Sequence, residues 1–144
     1  MNAKTFLKQL EKRDSIIHNK LVEKARLKDI ALGITAQTDG ERVQSAGSKQ
    51  KMSDAIDKLV DMEREIDRLV DEYITTKDEI NSIIEQLNTA EYDVLHKIYI
   101  QGMTFDEVAA VKSKSKSWVT TVHGRALVNV QKILDKGVTE NGEN

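Results

Sequence analysis

From Ile56 to Leu87 the apolar residues return every three or four positions, a spacing that admits little besides a long helix packed on another helix. Ile56, Leu59, Met62, Ile66, Leu69, Val70, Tyr73, Ile80, Ile84 and Leu87 make the stripe, interrupted at Lys77. Alternating three- and four-residue steps keep one side of a helix facing a partner along its whole length. Ser53 is the expected cap at its start. Upstream, Phe6, Leu7, Leu10, Ile17, Leu21, Ala25, Ile30 and Leu32 repeat with similar steps and predict an amphipathic helix over 3–32, with Gly33 as its stop. Residues 33–48 (GITAQTDGERVQSAGS) are small and polar and read as a loop. Two arrangements would bury the long stripe: an antiparallel hairpin with the first helix, or a coiled coil with a second copy of the chain.

None of the 144 residues is proline, so no ring forces a helix to kink or stop. Charged residues are abundant and aromatics scarce, which suits long exposed helices better than one thick core. The absence of cysteine removes disulfides, thiolate metal sites and cysteine nucleophiles together. No apolar run is long enough to cross a bilayer and the N-terminus lacks a signal-peptide core, so a cytoplasmic location without membrane association is expected. The net charge of −2 conceals segregation: residues 1–52 carry +5, 53–93 carry −9, 94–136 about +4 and the tail from Gly137 −2. The basic first helix and the acidic second favour pairing, while the sign that matters for any other partner is local.

Asn88-x-x-Glu91 and Thr104-x-x-Glu107 both follow the capping-box pattern, in which two side chains satisfy amides left orphaned at a helix start. Gln101-Gly102 closes the helix between them, Gly102 being suited to the left-handed residue past a helix end. Phe105, Val108, Ala109 and Val111 give the next helix an apolar face, and a Ser/Lys-rich turn follows. The last helix carries Val119, Val122, Ala126, Leu127, Val130, Ile133 and Leu134. Two helices crossing over a short turn are the geometry that lets the second enter a DNA major groove. The chain therefore reads as all-α: long amphipathic helices over 1–87, in a hairpin or coiled coil, then a three-helix helix-turn-helix domain over 88–136 and a flexible tail over 137–144.

The segment Glu91–Leu134 resembles the region-4 helix-turn-helix of bacterial sigma factors, through Val94-Leu95, Tyr99, Gly102, Glu107-Val108-Ala109, Ser115, Val119 and Arg125-Ala126-Leu127. The whole chain is similar to small phage and prophage proteins that place this unit behind a helical N-terminal region, near the late-gene transcriptional regulators of the ArpU/RinA type. SAGSKQKMSDAIDKLVDMEREID (45–67) is similar to that family's mid-chain signature. The resemblance implies a phage transcriptional regulator that binds double-stranded DNA, with RNA polymerase as a further candidate partner. Two departures stand out. Lys112 and Lys114 occupy positions usually apolar in the family, and Trp118 stands where a smaller or polar residue is usual. Trp118 either folds back over apolar surface or projects toward DNA.

Ser115 is the expected cap of the recognition helix, and its exposed amides also favour a phosphate. Lys116, Ser117, Thr120, Thr121 and Arg125 lie opposite Val119 and Val122, on the side where base edges and phosphates would be met. Lys112 and Lys114 are candidate phosphate contacts from the turn. The alternative for all of these is an ordinary solvated surface. His18, His96 and His123 have no metal-ligand spacing, and His123 is expected to pack or to meet a phosphate. No nucleotide loop, nucleophile motif or triad is present, so no catalysis, cofactor or metal is expected. The expected assembly is a homo-oligomer, a dimer first. A small-terminase-like packaging component and a protein-only interaction module are the alternatives.

Overall fold

The computed structural model describes residues 1–40 and 46–142; for residues 34–40, 46, 48 and 138–142 it describes the backbone alone. Among the described residues six α-helices follow one another: α1 (Ala3–Leu7), α2 (Gln9–Gly40), α3 (Ala46–Ile84), α4 (Thr89–Leu95), α5 (Phe105–Lys112) and α6 (Lys116–Gly142). The fold is all-α, and no strand occurs among the described residues. Between α4 and α5 the helix widens over His96–Ile100, where hydrogen bonds reach five residues back, as from the Gln101 amide to the His96 carbonyl at 3.0 Å.

The helix expected over 3–32 is divided and longer. It breaks at Lys8, where the Glu11 amide reaches back only three residues, to the Lys8 carbonyl. It then passes Gly33, which keeps helical backbone. A mid-helix glycine costs about 1 kcal/mol against alanine, too little to end a long helix with no proline behind it. The expected 33–48 loop contracts accordingly, since α2 reaches Gly40 and α3 begins at Ala46; residues 41–45 lie outside the described ones. Ser53 sits inside α3 and caps nothing. At the other end the backbone of α6 is helical to Gly142, and residues 143–144 of the expected tail lie outside the described residues.

The chain forms two compact units. The first to consider, Arg13–Glu72, is an antiparallel hairpin made within the chain. Ile17, Lys20, Lys24, Leu27 and Ala31 face Met52, Ala55, Leu59, Met62, Ile66 and Leu69, in heptad steps on both helices. Arg13–Glu72 at 3.1 Å, Lys20–Glu65 at 3.6 Å and Lys24–Glu63 at 3.3 Å run in opposite chain directions and set the register. Each such exposed pair contributes roughly 0–1 kcal/mol, so the pairs select the alignment more than they stabilise it. The seam corrects part of the sequence reading: Ala55 is buried in place of Ile56, and Leu21, Ile30 and Leu32 are exposed. Stepping back by four and three from Ile66 gives Met62, Leu59, Ala55 and Met52, which leaves Ile56 one residue off the stripe.

The second unit joins Met1–Lys12 to Tyr73–Asn144. It is therefore larger than residues 88–136, because α1 and the end of α3 share its core. Ala3, Phe6, Leu7, Leu10, Ile80, Ile84, Leu95, Ala126 and Val130 form one buried cluster. Val94, Val108, Ala109, Val119 and Val122 form another. Neighbouring residues Val94 and Leu95 of α4 enter different clusters, and α6 contributes to both along its length. Leu7, Ile80, Ile84, Leu95, Val108, Val119 and Val130 are fully buried, each side chain stabilising by about 1.5–3 kcal/mol relative to exposure. A polar clip crosses the unit as well, the Asn129 amide donating to the buried Glu91 carboxylate at 2.5 Å.

Candidate nucleic-acid interface

The geometry at α5 and α6 is built from their ends. Thr104 caps α5, its hydroxyl accepting from the Glu107 amide at 3.1 Å and donating to the Glu107 carboxylate at 3.2 Å. After Lys112 the chain turns at Ser113, whose φ of 55° is left-handed. The Ser113 amide donates to Ala110 at 3.2 Å and the Lys114 amide to Ala109 at 2.9 Å, which satisfies carbonyls left open at the helix end. Ser115 then caps α6, accepting from the Trp118 amide at 3.0 Å. Only residues 113–115 separate the two helices, so Val108 and Ala109 close directly on Val119 and Val122.

That packing settles which side of α6 is free. Val119, Val122, His123, Ala126 and Val130 are buried, while Lys116, Ser117, Thr120, Thr121, Gly124, Arg125 and Val128 are exposed on the opposite side. The expected contact residues of the last helix therefore share one solvent-facing surface. Thr120 has its hydroxyl turned to the Lys116 carbonyl at 3.0 Å, and Lys116 lies 3.7 Å from Asp106. Lys114 is exposed, with Nζ 5.5 Å from the centre of the Trp118 ring. Trp118 is half-buried and packs against the Val94–Val122 cluster, so its body covers core surface and one edge remains outside.

Lys112 stands apart from the others. Its ammonium is 2.5 Å from the Asp93 carboxylate of α4, which also meets Lys97 at 2.6 Å. The position that the resemblance led one to expect apolar holds an ion pair here. Burial alone would raise the Asp93 carboxyl, but the hydrogen bonds and charges of Lys112 and Lys97 outweigh it and hold it below the ordinary value. Asp93 was not singled out in the sequence; its spacing of four from Lys97 was the available signal, whereas its link to Lys112 is non-local.

His123 is internal, 9% exposed, and packs between Tyr99 and Phe105 with ring centroids at 5.7 and 4.9 Å. Its Nε2 lies 2.7 Å from the Tyr99 hydroxyl. Burial first, and then the charge of Lys4, holds the imidazole below its ordinary pKa. Burial also raises the Tyr99 phenol, with Glu11 adding to it, so the bond joins a neutral phenol to a neutral imidazole. The packing role expected for His123 is the one found. Gly124 and Val128 are additional members of the exposed side that the sequence reading passed over. A Cβ at Gly124 would meet nothing within 4 Å.

A family described as "Protein of unknown function (DUF1492)" matches residues 35–130, which take in the end of α2, all of α3, α4 and α5, and the first half of α6. The chain is also similar to "RNA polymerase sigma factor SigO" of Bacillus subtilis (strain 168), with 27% identity over 87 residues. That alignment covers 60% of this chain and 47% of the sigma factor, so the chain spans about half the length of the curated relative it matches. No solved structure matches the chain. With the family match extending over about two thirds of its residues, the chain belongs to the DUF1492 family.

Proposed function

We propose that this protein binds double-stranded DNA through α5 and α6 acting as a helix-turn-helix, with α6 in the major groove, and that it regulates transcription. The observation that carries the reading is the exposed side of α6: Lys116, Ser117, Thr120, Thr121 and Arg125 together, on a helix whose start is capped and whose other side is locked in a core. Short polar side chains at Ser117, Thr120 and Thr121 suit base edges, and Lys116 and Arg125 suit phosphates or guanine. The likeness to a sigma factor supports a role at promoters, with RNA polymerase as a partner. Lys112 is left out of the contact surface, because it is committed to Asp93. Lys114 remains a phosphate contact beside Trp118. In a dimer, two α6 helices would address half-sites about one helical turn apart or a multiple of it.

Retention on a pool of genomic duplex fragments at low salt tests the proposal. Wild type should be retained, and Lys116→Ala with Arg125→Ala should weaken binding and make its salt dependence shallower by about two phosphate contacts. A wild-type protein that passes through such a column unretained would leave α6 as a surface for another protein.

A further inference from the structure

The first twelve residues hold three lysines at four-residue spacing, Lys4, Lys8 and Lys12, and one acid, Glu11. Lys4 lies in α1, Lys8 at the break and Lys12 in α2, and the four-residue spacing keeps all three on the exposed side of the segment. Ala3, Phe6, Leu7 and Leu10 are buried on the other side, and all three lysines are exposed. None of them forms an ion pair with any described residue, and Glu11 forms none either. By contrast, Lys20 and Lys24 pair across the hairpin, and Lys97 and Lys112 share Asp93. Like charges four apart on a helix are destabilising by about 0.2–0.5 kcal/mol per pair. An uncompensated row of this kind favours a polyanionic partner.

The row is also fixed in place. The Ala3 amide donates to the Gln131 side chain at 2.8 Å, and Leu7 shares a core with Ala126 and Val130, so α1 is packed along α6. Gln131 ends the line Thr120, Gly124, Leu127, Gln131 that runs down one edge of α6 at steps of four, three and four. The first two members of that line belong to the exposed side of α6, and the last holds α1. The Lys4 charge is close enough to be felt at His123, between Thr120 and Gly124 in the sequence. The N-terminal segment thus borders the surface that α6 presents.

We propose that Lys4, Lys8 and Lys12 are a second phosphate-binding edge, gripping the backbone of the same duplex whose groove α6 enters. The inference rests on the reading of α6 as the DNA-contacting helix. About 6 Å of helix axis separates successive lysines, so each can serve a separate phosphate. The edge supplies affinity without sequence preference, leaving base reading to Ser117, Thr120 and Thr121. Its residues lie upstream of residues 35–130, the stretch that matches the family.

The test compares wild type, Lys4→Gln/Lys8→Gln/Lys12→Gln and Lys4→Arg/Lys8→Arg/Lys12→Arg, all as the full chain, on mixed genomic duplex fragments between about 50 and 200 mM salt. The glutamine variant should show a slope of log affinity against log salt shallower by about 2 to 3, at roughly 0.9 per lost phosphate contact. The sequences it selects should not change, its melting temperature should hold or rise, and the arginine variant should keep the wild-type slope. Lys8→Gln alone should lose about one third of the effect. A wild-type slope in the glutamine variant, with wild type bound, overturns the edge and leaves α6 as the DNA surface. Failure of wild type to bind any fragment overturns both.

Discussion

The Tyr99 hydroxyl meets Nε2 of His123 at 2.7 Å and ties the widened turn after α4 to the middle of α6. Protonating the imidazole puts a donor on both ring nitrogens and a charge on a buried ring. Because burial and Lys4 lower the folded pKa of His123, the unfolded chain takes up the proton first as pH falls. This contribution to stability is complete above about pH 6.5 and is lost as pH falls from there through the folded pKa. His96 has the same sign, lowered by burial and then by Lys97 and Lys77. Melting temperature should therefore drop between about pH 7 and pH 5, and His123→Gln should flatten part of that drop while His96 keeps the remainder. Identical pH profiles for the two proteins would show that His123 keeps its proton on folding.

Asp93 is held by two lysines, one a turn away and one from α5. Removing the carboxylate leaves both ammoniums partly buried without a counter-charge. Asp93→Asn should lower stability by about 1–2 kcal/mol, between the values of surface and buried pairs. Lys112→Met should cost less, since the thioether chain fills the same slot and Asp93 retains Lys97. The Asp93 carboxyl lies below its ordinary value in the folded chain, so its contribution stands above the usual carboxylate range and disappears as pH falls through that lowered pKa. Urea melts of the two variants supply the comparison; equal stability of Asp93→Asn and wild type would mean the cluster only decorates the surface.

Two backbone positions near α6 should respond alike in stability and differently in binding. Ser113 sits at φ 55°, where a side chain costs about 1 kcal/mol that glycine does not, so Ser113→Gly should stabilise by that order. Gly124 is helical, exposed and has open space beyond its Cα, so Gly124→Ala should stabilise by about 0.5–1 kcal/mol. Ser113→Gly should leave affinity for DNA near wild type, and Gly124→Ala should weaken it by putting a methyl group on the surface that meets the groove. Equal affinities for both variants would move the contact away from Gly124.

The caps show which information was local. Asn88, Thr104 and Gly102 act as their neighbours in sequence require, because an orphan amide or a left-handed residue is a matter of three or four positions. The Asn88 box is only half made: the Glu91 amide is capped, but its carboxylate goes to Asn129, far along the chain. The same limit hid the partner of Lys112, and it hid the joining of α1 and the end of α3 to the C-terminal helices. Ser53 and Gly33 misled for a complementary reason, since a residue with a preference for helix ends is tolerated inside a helix secured by neighbouring turns. The polar side of α6 was readable because its opposite side is so regularly apolar; which cations it keeps free was not, since that depends on the acids brought near from α4 and α5.

The widened turn at His96–Ile100 acts as a phase shift in the chain. The Met103 amide, just past left-handed Gly102, closes on the Lys97 carbonyl at 2.9 Å, six residues back instead of the usual five. One residue more than a regular helix needs has been absorbed without unwinding. Deleting a single residue there would restore regular winding and move side chains within the turn by one helical step, about 100°. Tyr99 would lose His123. The tie between this turn and α6 thus depends on a surplus residue lodged two elements upstream of that helix.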